Sequence, residues 1–197
     1  MNIPVIHEDE DLLIVDKPSG LLTVPTPRNE KRTLTSILGF YPCHRLDRGT
    51  SGIIIYAKNK SARNKVSRLF KEKQVKKTYL ALVNGLISSK SGIIQKRIEG
   101  RPAQTLYRVV GEKKDFSIVE VRPLTGRTNQ IRIHFKSIGH PVLGEDRYAF
   151  RRDFKVKAKR LCLHASRIEF RHPLTGEYLK LEADLPDELK NILEQNV

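Results

Sequence analysis

An aspartate flanked by two arginines precedes an apolar β-branched segment. Asp47 lies between Arg45 and Arg48, and the polar turn of residues 49–52 leads directly into three isoleucines at 53–55. Neighbouring cations favour the ionised form of a carboxylate, and a strand that begins beside it can hold it rigidly. The pattern suits a nucleophile acting on an anionic polymer. Because Asp followed two residues later by Gly is also ordinary turn chemistry, a structural turn remains an alternative at this point.

A second cluster of basic residues lies between residues 147 and 160. Its cationic and aromatic members are Arg147, Arg151, Arg152, Lys155, Lys157, Lys159, Arg160, Tyr148, Phe150 and Phe154. Cations that contact phosphates and rings that stack on bases are used to recognise structured or single-stranded RNA. The alternation over residues 154–159 also fits a half-buried strand with a solvated face. We favour RNA contact because of the charge of the whole chain.

That charge indicates a polyanionic partner. The 197 residues include 37 Lys and Arg against 22 Asp and Glu, which gives a net charge of +15 and a pI near 10.0. Nucleic acid is therefore the leading partner. An anionic membrane surface is the alternative, but no basic helix with a continuous apolar face supports it. No apolar run is long enough to span a bilayer, so we expect no membrane association.

The N-terminus and the cysteines indicate a cytoplasmic protein. Acidic residues 8–11 precede any apolar run, the reverse of a secretory signal peptide. Cys43 and Cys162 are far apart in sequence and form neither a disulfide framework nor a zinc motif. We expect buried, reduced thiols, although the position of Cys43 beside His44 leaves a reactive thiol as an alternative.

The elements that must position these residues are mostly strands. Apolar runs bounded by turn residues predict strands over residues 12–15, 21–24, 79–83, 103–110 and 116–121 and a closing hairpin over residues 168–181. Helical spacing predicts helices over residues 60–73, capped by Asn59, over residues 130–138 and after Pro186, and Thr33 or Thr35 as the cap of a short helix. We therefore predict an α+β fold with a large mixed, mostly antiparallel sheet flanked by helices and loops.

Six segments in order resemble the RluA family of RNA pseudouridine synthases. The first to match is His-Arg-Leu-Asp-x-x-Thr-Ser-Gly followed by an apolar run and Ala-Lys, at residues 44–58. The other matching segments are residues 11–21, 77–83, 124–132, 139–144 and 163–177. The resemblance covers nearly the whole chain. It implies the pseudouridine synthase fold over residues 1–197 as one catalytic domain, without the separate S4-type RNA-binding domain that many relatives carry.

The resemblance also implies roles for individual residues. Asp47 is the essential catalytic residue, Tyr79 the tyrosine that stacks on uracil, and Arg132 the basic residue that pairs with the catalytic carboxylate and keeps it ionised. Without the motifs, the alternative interpretations are that Tyr79 is a core tyrosine and that Arg132 is a solvated helix residue. Arg45, beside the nucleophile, could fill the stack that a flipped nucleotide leaves or hold its phosphate.

The remaining positions complete the expected RNA site. Arg48 flanks the nucleophile, and Arg127 and Gln130 match the basic motif, whereas Asn129 departs from it because the family more often has His there. Together with Arg45 and the second cluster, the predicted RNA contacts are Arg48, Arg127, Gln130, Arg151, Arg152, Lys155, Lys157 and Lys159.

The expected reaction converts uridine to pseudouridine by breaking the N1 glycosidic bond, turning the base and rejoining it through C5. It requires no redox cofactor or metal. Attack of Asp47 on the sugar, attack on the base and assisted elimination all remain open. The target could be ribosomal or transfer RNA, and the absence of a heptad pattern makes a monomer the default.

Two other classes of function remain open. One is a non-catalytic RNA-binding or ribosome-associated factor, which would have no use for the set of Asp47, Tyr79 and Arg132. The other is a hydrolase using Asp47 or Ser51, although residues 49–52 lack the G-x-S-x-G spacing of a serine nucleophile.

Overall fold

A computed structural model describes residues 2–28 and 30–196, except for the side chain of Arg151. The strands in the described part are β1 (Val5–Glu8), β2 (Leu12–Lys17), β3 (Tyr41–Pro42), β4 (Ser51–Ala57), β5 (Lys76–Asn84), β6 (Ser91–Gln95), β7 (Gln104–Lys113), β8 (Phe116–Pro123), β9 (Leu163–Arg171) and β10 (Tyr178–Glu182). The α-helices are α1 (Leu34–Leu38), α2 (Lys60–Lys71), α3 (Gln130–Ser137) and α4 (Asp187–Gln195).

The chain folds into two compact units. Unit 1 comprises Met1–Lys77 and Ala165–Ala183, and unit 2 comprises Thr78–His164 and Asp184–Val197. The expectation that residues 1–197 form one catalytic domain stays a prediction.

Unit 1 is built on the strand order β1-β2-β4-β9, with β3 paired to β4 and β10 to β9. The pairs β1–β2, β2–β4 and β9–β10 are antiparallel. β4 is buried along its whole length. One side of the core contains Leu12, Ile14, Ile53, Ile55, Ala57, Ala62, Val66, Val75, Ile168, Phe170 and Leu179. The strand that follows the Asp47 turn is therefore the rigid centre of its unit.

Local sequence signals place the helices of unit 1. The Asn59 side chain accepts a hydrogen bond of 2.8 Å from the Ala62 N–H, which confirms it as the N-cap of α2. α2 buries Ala62 and Val66 and leaves a largely basic face exposed. Thr33 caps α1 through a capping box with Ser36. Both caps satisfy N–H groups that the first helical turn leaves unpaired.

Unit 2 has the strand order β5-β8-β7-β6, and all three pairs are antiparallel. α3 packs on β6, β7 and β8. Its Phe135 is fully buried and meets the Tyr107 ring edge-on at 5.8 Å. The strands predicted over residues 103–110 and 116–121 are confirmed and pair as the β7–β8 hairpin, and α3 and the C-terminal helix α4 are confirmed as well.

The α+β class is confirmed, but the strand predicted over residues 21–24 does not form, and neither does the strand considered as an alternative over residues 154–159. Residues 21–24 form no strand because the Leu22 and Thr23 carbonyls accept hydrogen bonds from the N–H groups of Leu34 and Thr35 at the start of α1. Residues 154–160 follow a 3₁₀ turn (Arg151–Asp153) and remain irregular up to β9. The short strands β1, β3 and β6 were not predicted.

No helix in the described part of the chain is both long and apolar enough to cross a membrane.

Candidate functional site

The loop that carries Asp47 is anchored by a buried lysine. Lys17, at the end of β2, is 0% exposed, and its Nζ donates hydrogen bonds to the carbonyls of Pro18 (2.9 Å), Leu21 (2.7 Å) and Arg48 (3.3 Å). A buried ammonium group is stable only when such acceptors surround it. Lys17 thus joins the turn after β2 to the residue that follows Asp47.

Two hydroxyl groups from the segment that follows β2 bind the same loop. Ser19 Oγ donates to the Gly49 carbonyl at 2.7 Å, and Thr23 Oγ1 donates to the Leu46 carbonyl at 2.9 Å while accepting from the Leu46 N–H at 3.2 Å. Within the loop, the Thr50 N–H donates to the Asp47 carbonyl at 3.1 Å. The backbone on both sides of the half-buried Asp47 is therefore held in one conformation.

Glycine is required where the loop enters β4. Gly52 has a φ of +112°, and a Cβ atom at this position would lie 2.3 Å from the Ala165 carbonyl oxygen. Any side chain would strain the backbone and collide with β9. The Gly of the Thr-Ser-Gly motif thus lets β4 approach β9 directly after the Asp47 loop.

The two arginines beside Asp47 are both exposed. The Arg48 guanidinium lies 3.7 Å from the Glu30 carboxylate. Contact of Arg45 and Arg48 with RNA stays a prediction.

His44 is a structural residue of this loop. Its Nε2 accepts a hydrogen bond of 3.0 Å from the Ile55 N–H, and its ring packs on Phe70 at 4.7 Å. Burial lowers the pKa of His44 to about 3, with a smaller contribution from the Lys77 charge. The ring is therefore neutral and links the loop to β4.

Neither cysteine is activated. Burial raises the pKa of Cys43 to about 12 and that of Cys162 to about 12. Since the thiolate is the reactive form, the alternative of a reactive Cys43 is not supported.

In unit 2, Tyr79 lies on β5 opposite Val121 of β8 and is 8% exposed. The burial is compatible with both interpretations, a core tyrosine and a tyrosine that stacks on uracil, and the stacking role stays a prediction.

Arg132 on α3 is held by a buried carboxylate that the sequence did not indicate. Its Nε and Nη2 donate to the two oxygens of Glu145 at 2.7 and 2.6 Å, and Nη2 also donates to the exposed Asp146 at 3.2 Å. Arg132 is 9% exposed and Glu145 1% exposed. The alternative of Arg132 as a solvated helix residue is therefore wrong. A bidentate pair fixes the plane of the guanidinium.

The Glu145 carboxylate remains ionised despite its burial. Burial acts to raise its pKa, but hydrogen bonds from Arg132 and from the backbone N–H groups of Arg147 and Tyr148 outweigh this and leave the pKa lowered. Its backbone is placed by Gly144, which has a φ of +75° and whose Cβ would lie 1.9 Å from the Arg160 carbonyl oxygen.

Asn129, the departure from the family motif, supports the same guanidinium. Its Oδ1 accepts from Arg132 Nη1 at 3.1 Å and its Nδ2 donates to the Tyr148 hydroxyl at 3.0 Å. Its φ is 53°, a left-handed conformation that Asn adopts more readily than most residues. The Tyr148 ring lies 5.4 Å from the Arg132 guanidinium carbon.

The other two positions of the basic motif differ in accessibility. Gln130 is 4% exposed, and its amide bonds Thr125, Gln104, Thr105 and the Arg127 N–H. This amide holds the turn before α3 together, and contact of Gln130 with RNA stays a prediction. Arg127 is half-buried and donates from Nε to the Pro102 carbonyl at 3.2 Å.

In the second cluster, the burial alternates as predicted although no strand forms. Phe154 is buried, whereas Arg152, Lys155, Lys157 and Lys159 are exposed. Lys155 pairs with Asp115 at 3.0 Å. The side chain of Arg151 lies outside the described part of the chain, so that contact stays a prediction.

The structure thus gathers the predicted residues into local groups. In unit 1, Arg45, Asp47 and Arg48 share one anchored loop. In unit 2, Arg132 lies on the buried face of α3 beside a network of acidic and aromatic residues. Lys17 and Glu145 are the important supports that sequence reasoning missed, because nothing local marks a lysine or a glutamate as buried.

Comparison with known proteins identifies the family. Residues 11–137 match the family model described as RNA pseudouridylate synthase. The dual-specificity RNA pseudouridine synthase RluA of Pasteurella multocida is 36% identical, with 92% of each chain covered. An uncharacterized RNA pseudouridine synthase of Bacillus subtilis, YlyB, is 35% identical over 98% of this chain and 73% of its own.

Solved structures show the same fold. Human RNA pseudouridylate synthase domain containing 4 superposes with a TM-score of 0.83 at 22% identity, covering 98% of this chain and 92% of its own. Human RNA pseudouridylate synthase domain containing 1 superposes with a TM-score of 0.81 at 28% identity, and the match covers 97% of this chain and 87% of the human chain.

Proposed function

Because this chain belongs to the RNA pseudouridylate synthase family, we propose that it converts specific uridines in structured ribosomal or transfer RNA to pseudouridine, with Asp47 as the essential catalytic residue. The net charge of +15 supports an RNA substrate. A cytoplasmic location and a monomeric state accompany this proposal as predictions.

The proposed reaction is an isomerisation, and amino-acid side chains can catalyse each of its steps. The N1–C1′ bond breaks, the uracil turns while it is held, C5 bonds to C1′, and the proton on C5 leaves while N1 gains one. An ionised Asp47 assists cleavage of the N1–C1′ bond by attack on the sugar, by attack on the base or by assisted elimination. Tyr79 stacks on the uracil and its hydroxyl relays the C5 proton.

The observation that carries the assignment of Asp47 is the anchoring of its loop. Lys17, Ser19 and Thr23 hold the backbone on both sides of Asp47 through hydrogen bonds of 2.7 to 3.3 Å. A reacting group has to be held within a fraction of an ångström of its productive position, and such support is what a nucleophile needs. A surface turn without a function would not need a buried lysine to hold its backbone.

Arg132 is proposed as the cation that stabilises the catalytic carboxylate. Its orientation by Glu145 and Asn129 supports this role, because a guanidinium fixed before substrate binds need not be reorganised during the reaction. Arg45 and Arg48 are proposed to hold the RNA backbone around the target nucleotide, and Arg45 to fill the place of the flipped base.

Tritium release from RNA labelled at uracil C5 tests the proposal. Wild-type protein should release tritium as C5 becomes glycosylated. Asp47→Asn should abolish release while keeping RNA affinity within a few-fold, because the amide retains the shape of the side chain but not its charge. Asp187→Asn, at an exposed residue of α4, is the control and should leave release unchanged.

Turnover of Asp47→Asn near the wild-type rate would refute the catalytic assignment. A protein that binds RNA and releases no tritium from ribosomal or transfer RNA would instead be a non-catalytic RNA-binding factor. Carbodiimide mapping of pseudouridines in RNA from a strain that lacks the gene would identify the target uridine.

A further inference from the structure

The three aromatic rings of the basic segment 147–160 differ in what they can contact. Phe154 is 9% exposed and belongs to the core. Tyr148 is occupied, because its hydroxyl bonds Asn129 and its ring lies near the guanidinium groups of Arg132 and Arg147. Phe150 is 68% exposed, the highest value among the exposed large apolar residues of the described part of the chain.

Phe150 projects from a turn that hydrogen bonds hold in place. Its N–H donates to the Asp153 carboxylate at 3.1 Å, and its carbonyl accepts from the Asp153 N–H at 2.9 Å. Asn84 Nδ2 donates to the Asp153 carbonyl at 3.2 Å, which ties the turn to the end of β5. The ring is therefore presented by a defined backbone.

One cation lies against this ring, and others follow it in the sequence. The Arg152 guanidinium carbon lies 5.1 Å from the centroid of the Phe150 ring, and Lys157 and Lys159 are exposed a few residues further on. An apolar partner protein would gain little from such surroundings, whereas a nucleotide offers a flat base for the ring and a phosphate for the cations.

We propose that Phe150, backed by Arg152, is a stacking platform for an unpaired base of the RNA substrate, separate from the uridine that reacts. This inference rests on the proposed RNA substrate and names a contact that sets affinity and substrate choice. Stacking is tolerant of base identity, so the platform selects unpaired over paired RNA without selecting a particular sequence.

Fluorescence of 2-aminopurine tests the platform directly. The probe is a stem–loop RNA that carries 2-aminopurine at one unpaired loop position at a time. Wild-type protein should quench the fluorescence at one of these positions, Phe150→Trp should keep the quenching, and Phe150→Ala should lose it. Phe150→Ala should weaken RNA binding by roughly 5- to 150-fold, as expected for the loss of one stacked base.

The salt dependence distinguishes stacking from charge. Phe150→Ala should leave the log-log slope of affinity against salt unchanged, because no phosphate contact is lost. Tyr178→Ala removes a ring that is 48% exposed on β10 and is the matched control, expected to keep wild-type affinity.

Full quenching and wild-type affinity in Phe150→Ala would overturn the proposal and assign the ring to a protein partner or to solvent. Tritium release at saturating RNA distinguishes a failure of the stacking platform from a failure of the proposed function. Tyr178→Ala should retain release near the wild-type rate. Wild-type release together with wild-type affinity of Phe150→Ala would overturn only the platform, whereas absence of release in the wild type would refute the function itself.

Discussion

Replacing Glu145 by Gln should destabilise the protein by about 3 kcal/mol at neutral pH. The carboxylate accepts four hydrogen bonds, two from Arg132 at 2.6 and 2.7 Å and two from backbone N–H groups at 2.9 and 3.2 Å. An amide keeps only one acceptor oxygen and turns its NH₂ donors toward other donors. Hydrogen bonds to charged groups contribute about 1.5–3 kcal/mol each, and breaking a buried ion pair costs about 3–5 kcal/mol. We take the lower end of the ion-pair range, about 3 kcal/mol, because a neutral Gln side chain costs less to bury than an unpaired charge.

The effect should show in both stability and catalysis. For a chain of this size, about 3 kcal/mol corresponds to a fall in Tm of roughly 6–12 °C, measurable by calorimetry and urea unfolding. Turnover should fall by about 10- to 100-fold, because Arg132 loses the partner that fixes its plane. Asp146→Asn is the matched control: it contacts the same guanidinium at 3.2 Å but is 80% exposed, so it should cost at most about 1 kcal/mol.

The pH dependence gives a second test of the same pair. Because folding lowers the pKa of Glu145 below the ordinary value of 4.5, its stabilising effect is present above that value and disappears as the pH falls through the folded-state pKa. The stability difference between wild type and Glu145→Gln should therefore narrow in acid. A difference at neutral pH no larger than that of Asp146→Asn, or one that does not change with pH, would refute the reasoning.

Two further predictions concern the anchored loop and the basic segment. Lys17→Met should destabilise the protein by about 2–4 kcal/mol in urea unfolding and lower turnover, because the carbonyls of Pro18, Leu21 and Arg48 each lose a charged donor; unchanged stability would mean that the lysine does not hold the loop. Neutralising Lys155, Lys157 and Lys159 together should reduce the log-log salt slope of RNA binding by about two units without abolishing turnover at saturating RNA. An unaltered slope in filter binding would show that these lysines only solvate the segment. The control neutralises three exposed lysines elsewhere: Lys136, Lys180 and Lys190.

Much of the fold was predictable because its signals are local. Asn59 and Thr33 cap their helices with acceptors that lie within three residues of the N–H groups they bind. The β7–β8 hairpin and α4 follow from apolar runs beside turn residues. Residues 21–24 were misassigned because their carbonyls bond the start of α1, ten or more residues away, and no local pattern reports a partner at that distance.

The candidate site also has features that the sequence predicts locally and features that depend on distant partners. The sequence by itself determined the family, the Asp47 loop with its flanking arginines and the candidate roles of Tyr79 and Arg132, since these depend on residue types at short spacings. Only the tertiary structure decided what supports them. The acceptors of Lys17 include a carbonyl 31 residues away, and Glu145 lies 13 residues from Arg132. Such partners meet only when strands and helices pack, because burial forces each charged group to find a partner wherever the fold places one.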